Sequence, residues 1–249
     1  MPESEITRST QPKSGQEPAL DIQKRYYEVR RPVRMLADRT PYIQRHFTEM
    51  SAVAGFRTGE RVCEWGAGLG RFSGLLAATG VRLDAIELSP TQVADCRKAL
   101  AEWPEARVIE GDVADVMQQQ GVRYDAIVGF FMLHHLTGIA GYIEAAAKHL
   151  EPRGRLVFVE PNPWNPLFPL QITFTPGMSW QAEKGIYELW PKQVRKYCLH
   201  AGFRNVSITR YGALPRATYN TLDRAGLATL PERIMPSPFK PFQVILAEL

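Results

Sequence analysis

The stretch RVCEWGAGLGRFSGLLAATG, Arg61 to Gly80, opens on apolar residues, sets glycine at 66, 68 and 70, and continues in a helix-like apolar pattern. Bare backbone between a strand and a helix allows a tight turn and lets a ligand approach to contact distance. The helix that follows presents free N–H groups and the positive end of its dipole, which suit a carboxylate or a phosphate. A glycine loop alone is weak, because many strand-to-helix turns carry glycine for packing. Its spacing says more. A dinucleotide fingerprint requires glycine three positions after Gly68, where the chain has Arg71, and the Gly-Lys-Ser/Thr of a phosphate-binding loop is missing.

Working outward, strand and helix patterns alternate. Strands are expected at Arg61–Trp65, Val81–Glu87, Arg107–Glu110, Tyr124–Phe130 and Arg155–Glu160. Helices are expected at Leu69–Ala78, from a capping box at Ser89-Pro90-Thr91-Gln92 with Val93, Cys96 and Leu100 on one face, at Ile139–Leu150, and from Pro191 to near Gly202. This alternation means a parallel sheet covered on both faces. Asn205–Tyr211 and Phe242–Ala247 read as strands with no long helix to cross the sheet between them, so they can pair antiparallel at one edge. Ahead of the sheet, Thr40-Pro41 reads as an N-cap and first helical residue for a stripe of Ile43, Phe47, Met50 and Ala54, which Gly55 can end. Earlier still, Ile22, Tyr26, Val29, Val33 and Leu36 fall at helical spacing that Pro32 interrupts. The organisation is then a disordered tail over 1–18, an N-terminal helical cap over 19–56, and a main domain over 57–249 with additions at 161–190 and 214–238.

The bounds agree with an enzyme-sized globular chain. Its 249 residues, 45% hydrophobic and 22% charged, can bury a core. No run approaches the ~18 apolar residues of a membrane span, and the polar, acidic start argues against a secretory signal. Three scattered cysteines fit a reducing, cytoplasmic setting and neither a disulfide frame nor a zinc site, so no metal is expected. The net charge of +4 is mild. Nine Lys/Arg against four Asp/Glu between Ile22 and Arg61 describe a solvated helical face or a basic patch for an anionic partner.

In an open α/β sheet the ligand sits beyond the carboxyl ends of the strands. The second strand ends there on Glu87, seventeen residues past Gly70. A carboxylate at that tip can accept from two vicinal ribose hydroxyls, or can simply favour the first turn of the next helix. After the third strand, Asp112 can accept from an exocyclic amine and Val113 can offer its N–H to a ring; an N-cap role for Asp112 is the other reading.

These residues together, VCEWGAGLG, LDAIELSP and EGDVADV, followed by YDAIVGFFMLHHL and GRLVFVEPN, resemble the class I S-adenosylmethionine-dependent methyltransferases of small-molecule type. The resemblance covers about Arg57 to Gly202. It implies a Rossmann-like seven-stranded, mostly parallel sheet with an antiparallel last strand and helices on both faces. It also implies S-adenosyl-L-methionine as cofactor. Glu64, Gly66, Ala67, Gly68 and Gly70 would surround its methionine part; Glu87 would hold the ribose and Leu88 would pack on the adenine. Asp112 and Val113 would meet the adenine edge, and Gly129 and Phe130 would pass under the sulfonium.

Methyl transfer is mostly the positioning of a nucleophile in line with the S–CH3 bond. A general base helps where the nucleophile must lose a proton, and His134 and His135 are the candidates, His135 preferred because it matches a histidine base in some small-molecule members. Phe131, Glu160 and Asn162 are placed to meet or orient substrate; for Glu160 and Asn162 the other reading is capping of the loop backbone. Pro161–Trp180 carries five prolines, and with its continuation to Trp190 six aromatic residues, including Trp164 and Trp180. It lines an apolar pocket or forms a small core of its own. Tyr26 and Tyr27 on the N-terminal cap close a third wall or sit in the core. The expectation is a natural-product, sugar or lipid-like acceptor, with the oligomeric state left open. An RNA methyltransferase is disfavoured, because GFFMLHHL stands where such enzymes place Asn/Asp-Pro-Pro-aromatic; a non-catalytic partner subunit that binds the same cofactor is the other alternative.

Overall fold

The computed structural model describes residues 39–174, 180 and 183–249. Seven strands, β1 (Arg61–Trp65), β2 (Arg82–Glu87), β3 (Arg107–Glu110), β4 (Tyr124–Phe130), β5 (Leu150–Pro161), β6 (Asn205–Tyr211) and β7 (Phe242–Glu248), join in one sheet of order β3-β2-β1-β4-β5-β7-β6. β1 to β5 pair in parallel, and β7 runs antiparallel between β5 and β6. The helices among the described residues are α1 (Pro41–Ala54), α2 (Ser73–Ala77), α3 (Pro90–Ala99), α4 (Val113–Gln120), α5 (Ile139–His149), α6 (Leu167–Phe174), α7 (Pro191–His200), α8 (Arg216–Asp223) and α9 (Leu230–Ile234). The strand order turns back on itself at β1, between β2 and β4, and that is where a doubly wound sheet opens its crevice.

Side chains alternate across a strand, so each strand feeds two cores. Cys63, Trp65, Ile127 and Phe158 join the core under α4, α5 and α7. Val62, Ala126, Val128 and Val159 join the core under α1, α2 and α3. By the same alternation Glu64, Glu87 and Phe130 project on the second side, and Glu160 on the first.

The fold follows the expected architecture and departs from it locally. α2 starts at Ser73 rather than Leu69, because Gly66, Gly68 and Gly70 hold φ of 67°, 57° and 79°, outside any right-handed helix. The capping box at Ser89 does not form: the Ser89 hydroxyl lies 3.1 Å from that of Thr91 and makes no capping bond to the helix backbone. Thr40 likewise makes no capping bond, although Pro41 does open α1 and Gly55 closes it at φ 58°. β5 extends back to Leu150 through a register shift between Tyr124 and Ala126. Among the described residues of 161–190 the chain forms one short α-helix, α6, with Pro169 in its first turn, where a missing N–H is tolerated, and a 3-10 turn at Lys184–Glu188. The 214–238 addition carries α8 and α9. The 1–18 tail, most of the 19–56 cap with Tyr26 and Tyr27, and residues 175–179 and 181–182 lie outside the described residues.

Candidate active site

The glycine loop closes on the acid of β2. Glu87 Oε2 accepts from the Gly68 N–H at 2.8 Å and Oε1 from the Ser89 N–H at 2.9 Å. Burial raises the pKa of its carboxyl, and the backbone donors of Ser89, Gly68 and Leu88 oppose that rise. Each carboxylate oxygen keeps acceptor capacity beyond one bond. Ala67 donates to the Ile86 carbonyl at 3.0 Å, which pins the loop to β2. At Gly70 the loop packs closely on α3: a Cβ there would stand 2.7 Å from the Ala99 Cβ. Leu88, half-buried, follows Glu87 directly.

Glu64 lies beside this loop, 2% exposed, accepting from the Ser73 hydroxyl at 2.5 Å. Burial, with a smaller push from Glu87 and against the Ser73 bond, raises its pKa from 4.5 to about 8. A folded-state carboxyl pKa above the unfolded one means that the folded chain holds the extra proton between the two values. This group's contribution to stability is therefore full below 4.5 and is lost as pH climbs through about 8. Glu64→Gln keeps an acceptor for Ser73 without that charge. Urea unfolding at stepped pH should show the variant gaining on the parent as pH rises from 5 to 8; parallel curves would contradict the assignment.

At the tip of β3 Asp112 is an N-cap: its Oδ1 accepts from the Ala114 N–H at 2.8 Å and opens α4, a helix the sequence pattern did not reveal beyond that cap. Val113 is buried in the first turn. At the tip of β4, Phe130 stacks on Phe72 with ring centroids 3.8 Å apart. Phe131 adopts φ 56°, rare for a residue with a side chain. Its ring meets those of His46 at 4.9 Å and Phe242 at 5.7 Å. His46 was not singled out from the sequence. It is buried, its Nδ1 lies 2.6 Å from the Tyr211 hydroxyl, and burial, then the charges of Arg71 and Arg45, lower its pKa to about 3. Only the helical stripe of α1 hinted at it.

His134, Glu160 and Asn162 take structural positions. Glu160 Oε1 accepts from the Met132 and Leu133 N–H groups at 3.0 and 2.7 Å, and Oε2 lies 2.6 Å from His134 Nδ1. His134 Nε2 faces Glu183 Oε2 at 3.2 Å. Burial alone would lower the His134 pKa; the Glu160 and Glu183 carboxylates outweigh it and hold it at about 9. Both ring nitrogens thus face carboxylates. His135 is half-buried beside it, with ring centroids 4.1 Å apart. Asn162 donates to the Pro238 and Lys240 carbonyls at 2.9 and 2.7 Å and accepts from the Trp164 N–H at 3.1 Å. Glu160 and Asn162 both hydrogen-bond loop backbone, as the capping reading has it. Trp164 is half exposed and packs edge-on to Trp190 at 5.0 Å, while Trp180 stacks on Tyr187 at 6.4 Å.

A family model described as a methyltransferase domain matches residues 35–208, well over half of the chain. The chain belongs to this family, on the fold of class I S-adenosylmethionine-dependent methyltransferases. It is similar to the demethylmenaquinone methyltransferase of Tropheryma whipplei (strain Twist), 32% identical over 108 residues, 43% of this chain and 44% of that protein. It is similar also to the ubiquinone biosynthesis O-methyltransferase of Xylella fastidiosa (strain 9a5c), 28% identical over 161 residues, 62% of this chain and 65% of that protein. The match spans less than two thirds of either relative. Among solved structures, a SAM-dependent methyltransferase from Archaeoglobus fulgidus superposes with a TM-score of 0.62 at 14% identity, covering 83% of this chain and 94% of that one. No helix among the described residues is long and apolar enough to cross a membrane.

Proposed function

We propose that the protein transfers the methyl group of S-adenosyl-L-methionine to a small, partly apolar acceptor. The observation that carries this is the closure of the Gly68 amide onto Glu87 at the point where the strand order turns back, with buried Glu64 beside the same loop. Glu87 is the acceptor for the ribose hydroxyls, and Glu64 and the loop surround the methionine end. Leu88, Asp112 and Val113 stand at the adenine end, with Gly129 and Phe130 under the sulfonium. In the transfer the acceptor's lone pair forms the new bond to carbon as the S–CH3 bond breaks, that bond's electrons return to sulfur, and a hydroxyl acceptor's proton passes to solvent. The protein supplies alignment and a dry site, which in oriented systems account for up to roughly 7–11 kcal/mol of barrier.

The apolar acceptor class is supported by the aromatic β4 tip, where Phe72, Phe130, Phe131 and Phe242 gather, and by relatives named for quinone biosynthesis. Incubation with cofactor labelled in its methyl group, together with a panel of demethylated quinols and related phenols, tests the reading. Label entering the organic extract is the expected result. Cofactor binding with no transfer to any apolar acceptor would overturn it in favour of a non-catalytic subunit.

A further inference from the structure

On the side of the sheet away from Glu64 and Glu87, three ligand-type atoms converge. His134 Nε2 stands 3.2 Å and His135 Nδ1 3.8 Å from Glu183 Oε2, and one ligand atom from each of the three residues lies within 4.8 Å of the other two. Ligands held at ~2.0–2.2 Å around a tetrahedral zinc-type ion sit roughly 3.3 Å apart. The first pair already has that separation, and the second needs to close by about 0.5 Å to reach it.

Three further observations belong to such a site. Glu183 Oε2 is buried and faces a nitrogen of each imidazole, at 3.2 and 3.8 Å. On the far edge of His134, Glu160 holds Nδ1 at 2.6 Å, and its own position is fixed by two backbone amides. A carboxylate that keeps the proton on one imidazole nitrogen leaves the other as a donor pair for a metal. Finally, the two segments that carry the ligands are pressed backbone to backbone. A Cβ on Gly185 would stand 2.3 Å from the Leu136 carbonyl oxygen and 2.5 Å from that of His134. Two carboxylates facing two imidazoles in the interior also leave negative charge that a cation neutralises.

We propose that His134, His135 and Glu183 bind one divalent cation of zinc type, with the remaining coordination position open to water. Glu160 is a positioning residue for His134. The proposal is independent of the acceptor and of cofactor binding, and it gives His135 a role other than the proton acceptor expected from the sequence.

Chelator-stripped, untagged protein titrated with Co²⁺ tests it. The expected result is one equivalent bound with the visible absorption of a low-coordinate nitrogen–oxygen site, erased by stoichiometric Zn²⁺. His135→Ala and Glu183→Gln should each weaken binding at least tenfold, and Glu160→Gln by roughly 10–100-fold, with unchanged circular dichroism. His134→Ala also breaks the buried contact to Glu160 and can fail to fold, so the half-buried His135 carries the test. No absorption, or equal binding by the His135→Ala/Glu183→Gln double variant, would mean an adventitious ion only and would overturn the proposal.

Discussion

Gly129→Ala is expected to destabilise the fold by about 3 kcal/mol, the upper end for forcing atoms into a packed core. At ~2–4 °C per kcal/mol for a chain of this size, the melting temperature should fall by roughly 10 °C. A Cβ at that position would stand 2.4 Å from Phe158 Cε1 and 2.8 Å from its Cδ1. Phe158 is wholly buried in the neighbouring strand and packed against Trp65, so its ring has little room to retreat. Glycine here serves the interior of the sheet, whatever it does beneath a cofactor. A melting temperature within a degree or two of the parent would show that the β4–β5 core yields more easily than its packing indicates.

Glu87→Ala is expected to weaken cofactor binding by about 10–100-fold, the loss of a charge-assisted hydrogen bond of ~1.5–3 kcal/mol. The same change strips the Gly68 and Ser89 amides of their acceptor. The loop then loses its hold on β2 at that point, and the loss of affinity should sit at the upper end. Glu87→Gln retains an acceptor oxygen for one amide and should fall between the two. Unaltered affinity in Glu87→Ala would remove the ribose assignment and with it most of the reading of the loop.

The parts of this molecule that were legible in its sequence are those where chemistry and strand tip are neighbours in the chain. The glycine loop follows β1 directly, and Glu87 is the last residue of β2, so hydrophobic alternation alone places both at the sheet's carboxyl edge. The β6–β7 pair was legible because no helix separates those strands in a way that would force a crossover. What could not be read depends on partners far away in sequence. Asn162 donates to carbonyls at Pro238 and Lys240, more than seventy positions away. His46 finds Tyr211 across 165 positions. Glu183 stands in a proline- and aromatic-rich stretch with no spacing signal, yet it reaches both histidines of the MLHHL segment. Asp112 carried two readings because an N-cap and an adenine contact need the same residue type in the same place.

Equilibrium calorimetry with S-adenosylhomocysteine, the demethylated cofactor, on the purified full chain tests the central claim most directly. Saturable binding of one molecule per chain, weakened in Glu87→Ala, is the predicted result. No heat of binding from a protein whose circular dichroism and cooperative melting show that it is folded would contradict it.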